Sequence, residues 1–249
     1  MVLDTSSARN RNNTRTDIQT MFQVLEDNDV IASNFISKIK VLKAPPKRNK
    51  SYSEDKLERI YSFLKETDPN LLLFIKFVSY NFLRPIEVCR LRVEDIDLKE
   101  QKLTVKAKNK LVKEKIIPNI LMEELSFLSN CDGNDFLFTP KGIPSSWEAT
   151  DDNRRDYFTK RFKEVKDLFT KKAKEGDKDY FELNSEYGIY SFRHTFITKI
   201  YREMRKTLTP FETKSRLLLI TGHNTMNALE QYLRDIDAEL PEDYSDLIK

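Results

Sequence analysis

Residues 190–232 read YSFRHTFITKIYREMRKTLTPFETKSRLLLITGHNTMNALEQY, and this stretch holds both histidines of the 249-residue chain. One follows an arginine in Ser191-Phe192-Arg193-His194. The other follows a glycine in Ile220-Thr221-Gly222-His223, after which a short polar-apolar segment leads to Tyr232. Arginine offers a planar fork of donors that fits phosphate oxygens, histidine a donor near neutral pH, and tyrosine an oxygen able to attack phosphorus. Three such groups in one stretch point to phosphoryl transfer. A helix is expected over 190–202, which begins the stretch.

A second arginine lies upstream in Asn81-Phe82-Leu83-Arg84-Pro85-Ile86-Glu87-Val88. The apolar density of Leu71 to Phe82, after the helix start Asp68-Pro69, predicts a core helix. Pro85 forces a break and opens the next helix, so Arg84 is held between two rigid elements. Taken with Arg193-His194-Thr195-Phe196, Gly222-His223 and a tyrosine nine positions after His223, this segment resembles the tyrosine recombinase (phage integrase) family. That family carries a Gly-Leu-Arg-x-x-Glu box, then His-x-x-Arg-His-Thr, then Leu-Gly-His, then the tyrosine. The resemblance spans roughly residues 10–235.

The resemblance implies a mainly α-helical fold with a small antiparallel β-sheet, a recombinase-like catalytic domain preceded by part of a helical domain. It also implies a chemistry. Arg84 and Arg193 would clamp the non-bridging oxygens of a DNA phosphodiester, and Tyr232 would attack to give a 3′-phosphotyrosyl link. His223 would hydrogen-bond the phosphate. A hairpin lysine would protonate the leaving 5′-oxygen. Counting from Arg84 puts that lysine at Lys108, with Lys106 and Lys110 on the same side of the strand and not separable from it by pattern alone. Tyr190 stands where the family usually has a histidine or lysine, which leaves open the group that accepts the nucleophile's proton. His194 is read as structural. The implied function is site-specific recombination in integration and excision of a mobile element, without metal or cofactor. Implied partners are double-stranded DNA, three further copies in a homotetramer, and accessory DNA-bending proteins. Rival readings are a type IB topoisomerase-like nicking-resealing enzyme and an inert DNA-binding protein of the same fold.

Bulk composition is compatible with these expectations. Lys and Arg total 43 against 40 Asp and Glu, so a nucleic-acid reader must gather its positive charge on one face. Two cysteines, Cys89 and Cys131, are too few for a disulfide framework or a Cys-based zinc site. The expectation is a cytoplasmic protein, nucleoid-associated when bound to DNA, since no secretory leader or membrane-spanning apolar run is legible.

Along the chain, Ile18, Met21, Phe22 and Leu25 predict an amphipathic helix beginning near Ser7, and Ile31, Phe35, Ile36 and Ile39 a shorter segment. Residues 1–40 are expected to be the end of a helical core-binding domain whose first helices lie outside the sequence. Residues 41–53, with Pro45-Pro46 and a basic run, read as a linker. The catalytic domain is then 54–249. Within it, Leu103 to Val105 and Ile116-Ile117 suggest the small sheet, Asp135 to Phe138 a further strand, and Tyr157 to Phe169 a long helix basic on its outer face.

Overall fold

The computed structural model describes residues 7–44, 50–106, 112–239 and Ser245. The chain divides into two compact units, Met1–Lys47 and Arg48–Lys249. In the first, helix α1 (Ala8–Asp27) starts where Ser7 accepts a hydrogen bond from the Asn10 amide, and stops at Asn28 and at Asp29, whose φ is +56°. The shorter apolar segment is a 3-10 turn, Phe35–Lys38, with Phe35 edge-on to Phe22 at 5.0 Å. Arg15 donates to the Ile39 and Ser37 carbonyls, and Asn12 both accepts from and donates to the Leu42 backbone. These polar ties fold the segment back on α1, which has no fully buried residue.

The second unit is built round helix α3 (Pro69–Tyr80). Asp68 caps it by accepting from the Leu71 amide at 2.9 Å, and Pro69 fills the first turn, where a missing N–H costs nothing. Leu71, Leu72, Phe74, Ile75, Phe77, Val78 and Ser79 are all buried, as expected of a core helix. Helix α2 (Glu54–Thr67) packs beside it through Leu57, Ile60 and Leu64. The chain then breaks, and α4 (Pro85–Val88) begins with Arg84 at its N-cap.

Three short strands form an antiparallel sheet in the order β1 (Ile96–Asp97), β2 (Lys102–Val105), β3 (Lys113–Ile116). Leu103 faces Lys115 and Val105 faces Lys113. Directly opposed residues share a face of the sheet. Lys113 and Lys115 therefore lie on the side of the buried Leu103 and Val105, and Glu114 and Ile116 on the other. The strand expected at Asp135 to Phe138 does not form. Phe136 makes only isolated bridges to Arg92 and Ser145, and Arg92 enters a 3-10 turn at once.

Helix α5 (Asn119–Met122) passes into a 3-10 stretch, Glu123–Asn130, and the long helix α6 (Asp151–Lys174) follows. Its Phe158 stacks on Phe74 with ring centroids 4.2 Å apart, and Phe162 meets Phe192 of α7 (Ile189–Arg205) edge-on. Helices α8 (Pro210–Thr221) and α9 (Met226–Asp235) complete the unit. Helix α7 belongs to two apolar clusters. Ile189 and Phe192 join the large one with α2, α3 and α6, while Ile197 and Tyr201 join a smaller one with Phe82, Leu217, Leu229 and Leu233. Arg193 and His194 lie at the seam.

Candidate active site

Arg84 reaches its position through Glu87. That carboxylate accepts the Arg84 backbone amide at 2.7 Å with one oxygen and the guanidinium at 3.0 Å with the other, while half of the arginine side chain stays exposed. Burial works against the Arg84 charge, but Glu87 and the Tyr190 phenol outweigh it and hold the pKa up. Arg193 is different: it is 2 % exposed, and its Nη2 makes a long bond to the Thr221 carbonyl at 3.4 Å. Its Nε is buried with no hydrogen-bond partner. A buried guanidinium with unspent donors is costly unless an anion arrives to take them.

His223 stands just after Gly222, the C-terminal cap of α8, whose φ of +72° is left-handed and suits glycine. Its Nδ1 is 2.6 Å from Thr221 Oγ1, and that hydroxyl also donates to the Leu217 carbonyl at 2.7 Å. Thr221 has one hydroxyl proton. While it goes to Leu217, Nδ1 must be the donor and Nε2 carries no proton. Burial, and then Arg193, Arg84, Lys115 and Lys113, lower the imidazole pKa to about 4. Donating to a phosphate from Nε2 thus requires either proton uptake or the Nε2–H tautomer, with the Thr221 hydroxyl turned to donate to Nδ1.

Tyr232 lies on α9 one residue before the buried Leu233. Its ring is 4.9 Å from that of His223, and Arg193 Cζ is 5.9 Å from its centroid. Tyr190 flanks the same guanidinium at 5.8 Å. Burial pushes the Tyr232 pKa well above that of a free phenol, and Arg193 opposes it. Sequence reasoning placed His194 in a structural role, yet its Nδ1 lies 2.8 Å from Tyr232 Oη with the rings stacked at 5.3 Å. The only sequence signal for this was its place beside Arg193.

Arg84, Arg193 and His223 line one cavity of about 170 Å³, together with Glu87, Lys113 and Lys115. Both lysines escaped sequence reasoning, although their two-residue spacing on one face of β3 was legible. Lys113 donates to the Gly222 carbonyl at 2.8 Å and to Asn224 Oδ1 at 2.5 Å, tying the His223 turn to the sheet. Lys115 donates to the Asn81 carbonyl, and burial, with Arg193 next, lowers its pKa to about 7. Of the three hairpin lysines, Lys106 is engaged by Asp95 at 2.8 Å and Glu94 at 3.5 Å and does not line the cavity. Lys108 and Lys110 lie outside the described residues.

Such a helical unit with a three-stranded sheet, holding two arginines and a histidine over one cavity, is the fold of the tyrosine recombinases. The phage integrase family model matches residues 50–208, and the chain belongs to that family. The match ends before His223 and Tyr232. Among solved structures, the Tn1549 transposon integrase in complex with a circular intermediate DNA is similar at a TM-score of 0.65 and 15% identity, covering 100% of this chain and 80% of that one. A lambda integrase dimer bound to a COC′ core site gives 0.64 at 15% identity, with 96% and 63% covered. XerA recombinase gives 0.50 at 17%, with 93% and 72% covered. Curated protein sequences give no match. Among the described residues no helix is long and apolar enough to cross a membrane.

Proposed function

We propose that the chain is a site-specific DNA recombinase that cleaves and rejoins DNA through a 3′-phosphotyrosyl intermediate on Tyr232, in integration and excision of a mobile element. The observation that carries this reading is the cavity where Arg84, Arg193, His223 and Lys115 converge with, among the described residues, Glu87 as the one carboxylate lining it, next to the Tyr232 phenol. Such an electropositive site suits a phosphodiester whose charge grows during attack. The two guanidiniums take the non-bridging oxygens, and His223 donates to one of them once Nε2 carries a proton. Tyr232 Oη bonds to phosphorus as the bond to the 5′-oxygen breaks. Lys108 is assigned to protonate that oxygen, and the engagement of Lys106 by Asp95 supports looking further along the hairpin. The tyrosyl ester conserves the bond for a second DNA end.

Double-stranded DNA is the partner, by analogy with the DNA-bound Tn1549 and lambda integrases. The working assembly is a homotetramer on paired sites with accessory DNA-bending proteins. Residues 1–40 act as part of a core-binding domain, 41–53 as linker and 54–249 as catalytic domain, in a cytoplasmic, nucleoid-associated protein. A nicked suicide duplex tests the chemistry. Wild type should form a covalent adduct and exchange strands, and Tyr232→Phe should bind DNA within a few-fold but form no adduct. Adduct with relaxation alone would favour a topoisomerase, and binding without adduct an inert binder. An adduct formed by Tyr232→Phe would move the nucleophile elsewhere.

A further inference from the structure

We propose that His194 is the base that takes the proton from Tyr232 as the phenol attacks phosphorus. The inference rests on the reading of Tyr232 as nucleophile. It starts from the 2.8 Å contact between Tyr232 Oη and His194 Nδ1, within the reach required of a general base. Other neighbours of the phenol are unsuited. Arg193 is donor-only. His223 meets Tyr232 only ring to ring, at 4.9 Å, and its free Nε2 is assigned to the phosphate. Tyr190 is itself a phenol, and neutral phenols are poor bases near pH 7.

Tyr190 has a different use. Its ring meets the His194 imidazole edge-on, 4.7 Å away at 86°, and so buttresses the plane in which Nδ1 points at Tyr232. The base has thus moved along α7 from the position where Tyr190 stands to the residue after Arg193. The charged groups acting on it are Arg193 from α7, which disfavours its protonation, and Asp235 from α9, which favours it; Tyr190, Tyr232 and His223 are its uncharged neighbours or near-neighbours.

The neutral imidazole carries its proton on Nε2 and accepts the phenol's proton on Nδ1. Tyr232 Oη bonds to phosphorus, the bond to the 5′-oxygen breaks with its electron pair leaving on that oxygen, and a lysine ammonium protonates it. In the reverse reaction a 5′-hydroxyl attacks and gives its proton to the lysine amine, the tyrosyl ester breaks, and the imidazolium returns its proton to Oη. In the free protein the transfer is uphill, because burial raises the phenol pKa and lowers the imidazole pKa to about 4. Two changes reverse that order during attack. The entering phosphate offsets the field of Arg193, and the esterified oxygen loses its affinity for the proton. Proton transfer is thereby coupled to bond formation, and no phenolate stands exposed in the absence of DNA.

Single-turnover adduct formation on nicked DNA, with wild type, His194→Asn and Tyr232→Phe, tests the proposal. Asparagine keeps a neutral acceptor but not a basic one. His194→Asn should lose about 10²-fold or more while binding DNA within threefold, the range for removing a general base. The wild-type rate should rise with pH through the imidazole titration of the bound complex, and the variant should lack that rise. The defect should persist on a bridging 5′-phosphorothiolate, whose thiolate leaves without needing a proton. A loss of less than about tenfold, the scale of one neutral hydrogen bond, would overturn the proposal. So would a retained pH rise, or a defect that vanishes on the phosphorothiolate. His194→Gln carries the same test if the asparagine variant melts early. An adduct from Tyr232→Phe would instead discredit the nucleophile, whatever His194 does.

Discussion

Lys115 gives a sharp test of the electrostatics, because its effects on stability and on phosphate binding should oppose each other. Burial, with the field of Arg193 next, brings its pKa from 10.5 to about 7, and 10.5 minus 7 leaves 3.5. At about 1.36 kcal/mol per pH unit, keeping the ammonium charged in the folded protein costs up to about 5 kcal/mol. Below pH 7 the group is charged in both states and the cost is complete; above 10.5 it is neutral in both and the cost is gone. In between, the unfolded chain binds a proton that the folded chain lacks, so this group makes stability rise with pH. Lys115→Met removes the cost and also the bond to the Asn81 carbonyl, worth about 1–3 kcal/mol once that acceptor is left unpaired. Residual solvent contact reduces the electrostatic part further. The variant should therefore gain about 1–3 kcal/mol at pH 7, an advantage that shrinks towards pH 10. Urea melts of both proteins at pH 7, 8.5 and 10 measure this, and phosphate or DNA added at pH 7 should stabilise wild type more than the variant. A variant that unfolds earlier than wild type at pH 7, or an advantage that grows with pH, would refute the reasoning.

Arg84→Ala and Arg193→Ala should each slow cleavage by about 10²-fold or more, the scale for one preorganised donor to transition-state charge, as read by single-turnover kinetics. A loss under threefold would return that arginine to a packing role. Gly222→Ala has room for its Cβ, whose nearest neighbour is Lys115 Nζ at 3.9 Å, but not the backbone freedom, since φ is +72°. It should cost about 1 kcal/mol in thermal melts and lower the cleavage rate more than DNA affinity, by turning His223 off the cavity. Tyr190→Phe keeps the ring against His194 and should slow cleavage by about tenfold or less; a larger loss would give the Tyr190 hydroxyl a direct part in the chemistry.

The groups that touch the phosphate in the proposed reaction were legible because each sits in a segment with its own local logic. Arg84 follows a strongly apolar helix and precedes a proline, and His223 follows the one glycine of its segment. Apolar density also revealed α3, and an amphipathic pattern α6. What remained hidden depends on pairings between distant segments. Lys115 reaches the cavity because β3 opposes Leu103 in register, and a slip of one residue would turn it outward. His194 meets Tyr232 across 38 residues of chain, through the packing of α7 against α9, and its partner cannot be read from its neighbours. The strand expected at Phe136 failed for a related reason: its apolar pattern was right, but its distant partners give it only isolated bridges.

The seam between the two apolar clusters holds two of the groups of the proposed reaction. Phe192 anchors α7 in the large cluster and Ile197 in the small one, so Arg193 and His194 are fixed from both sides. Tyr232 has no such double hold. It depends on α9, whose buried Leu229 and Leu233 belong only to the small cluster. Few residues make up that cluster, so it should open at a lower free energy than the Phe-rich core. Loosening it would move Tyr232 away from His194. In the proposed reaction the phenol thus stands on the less heavily packed part of the fold, so that packing of the small cluster governs when it is in position to attack.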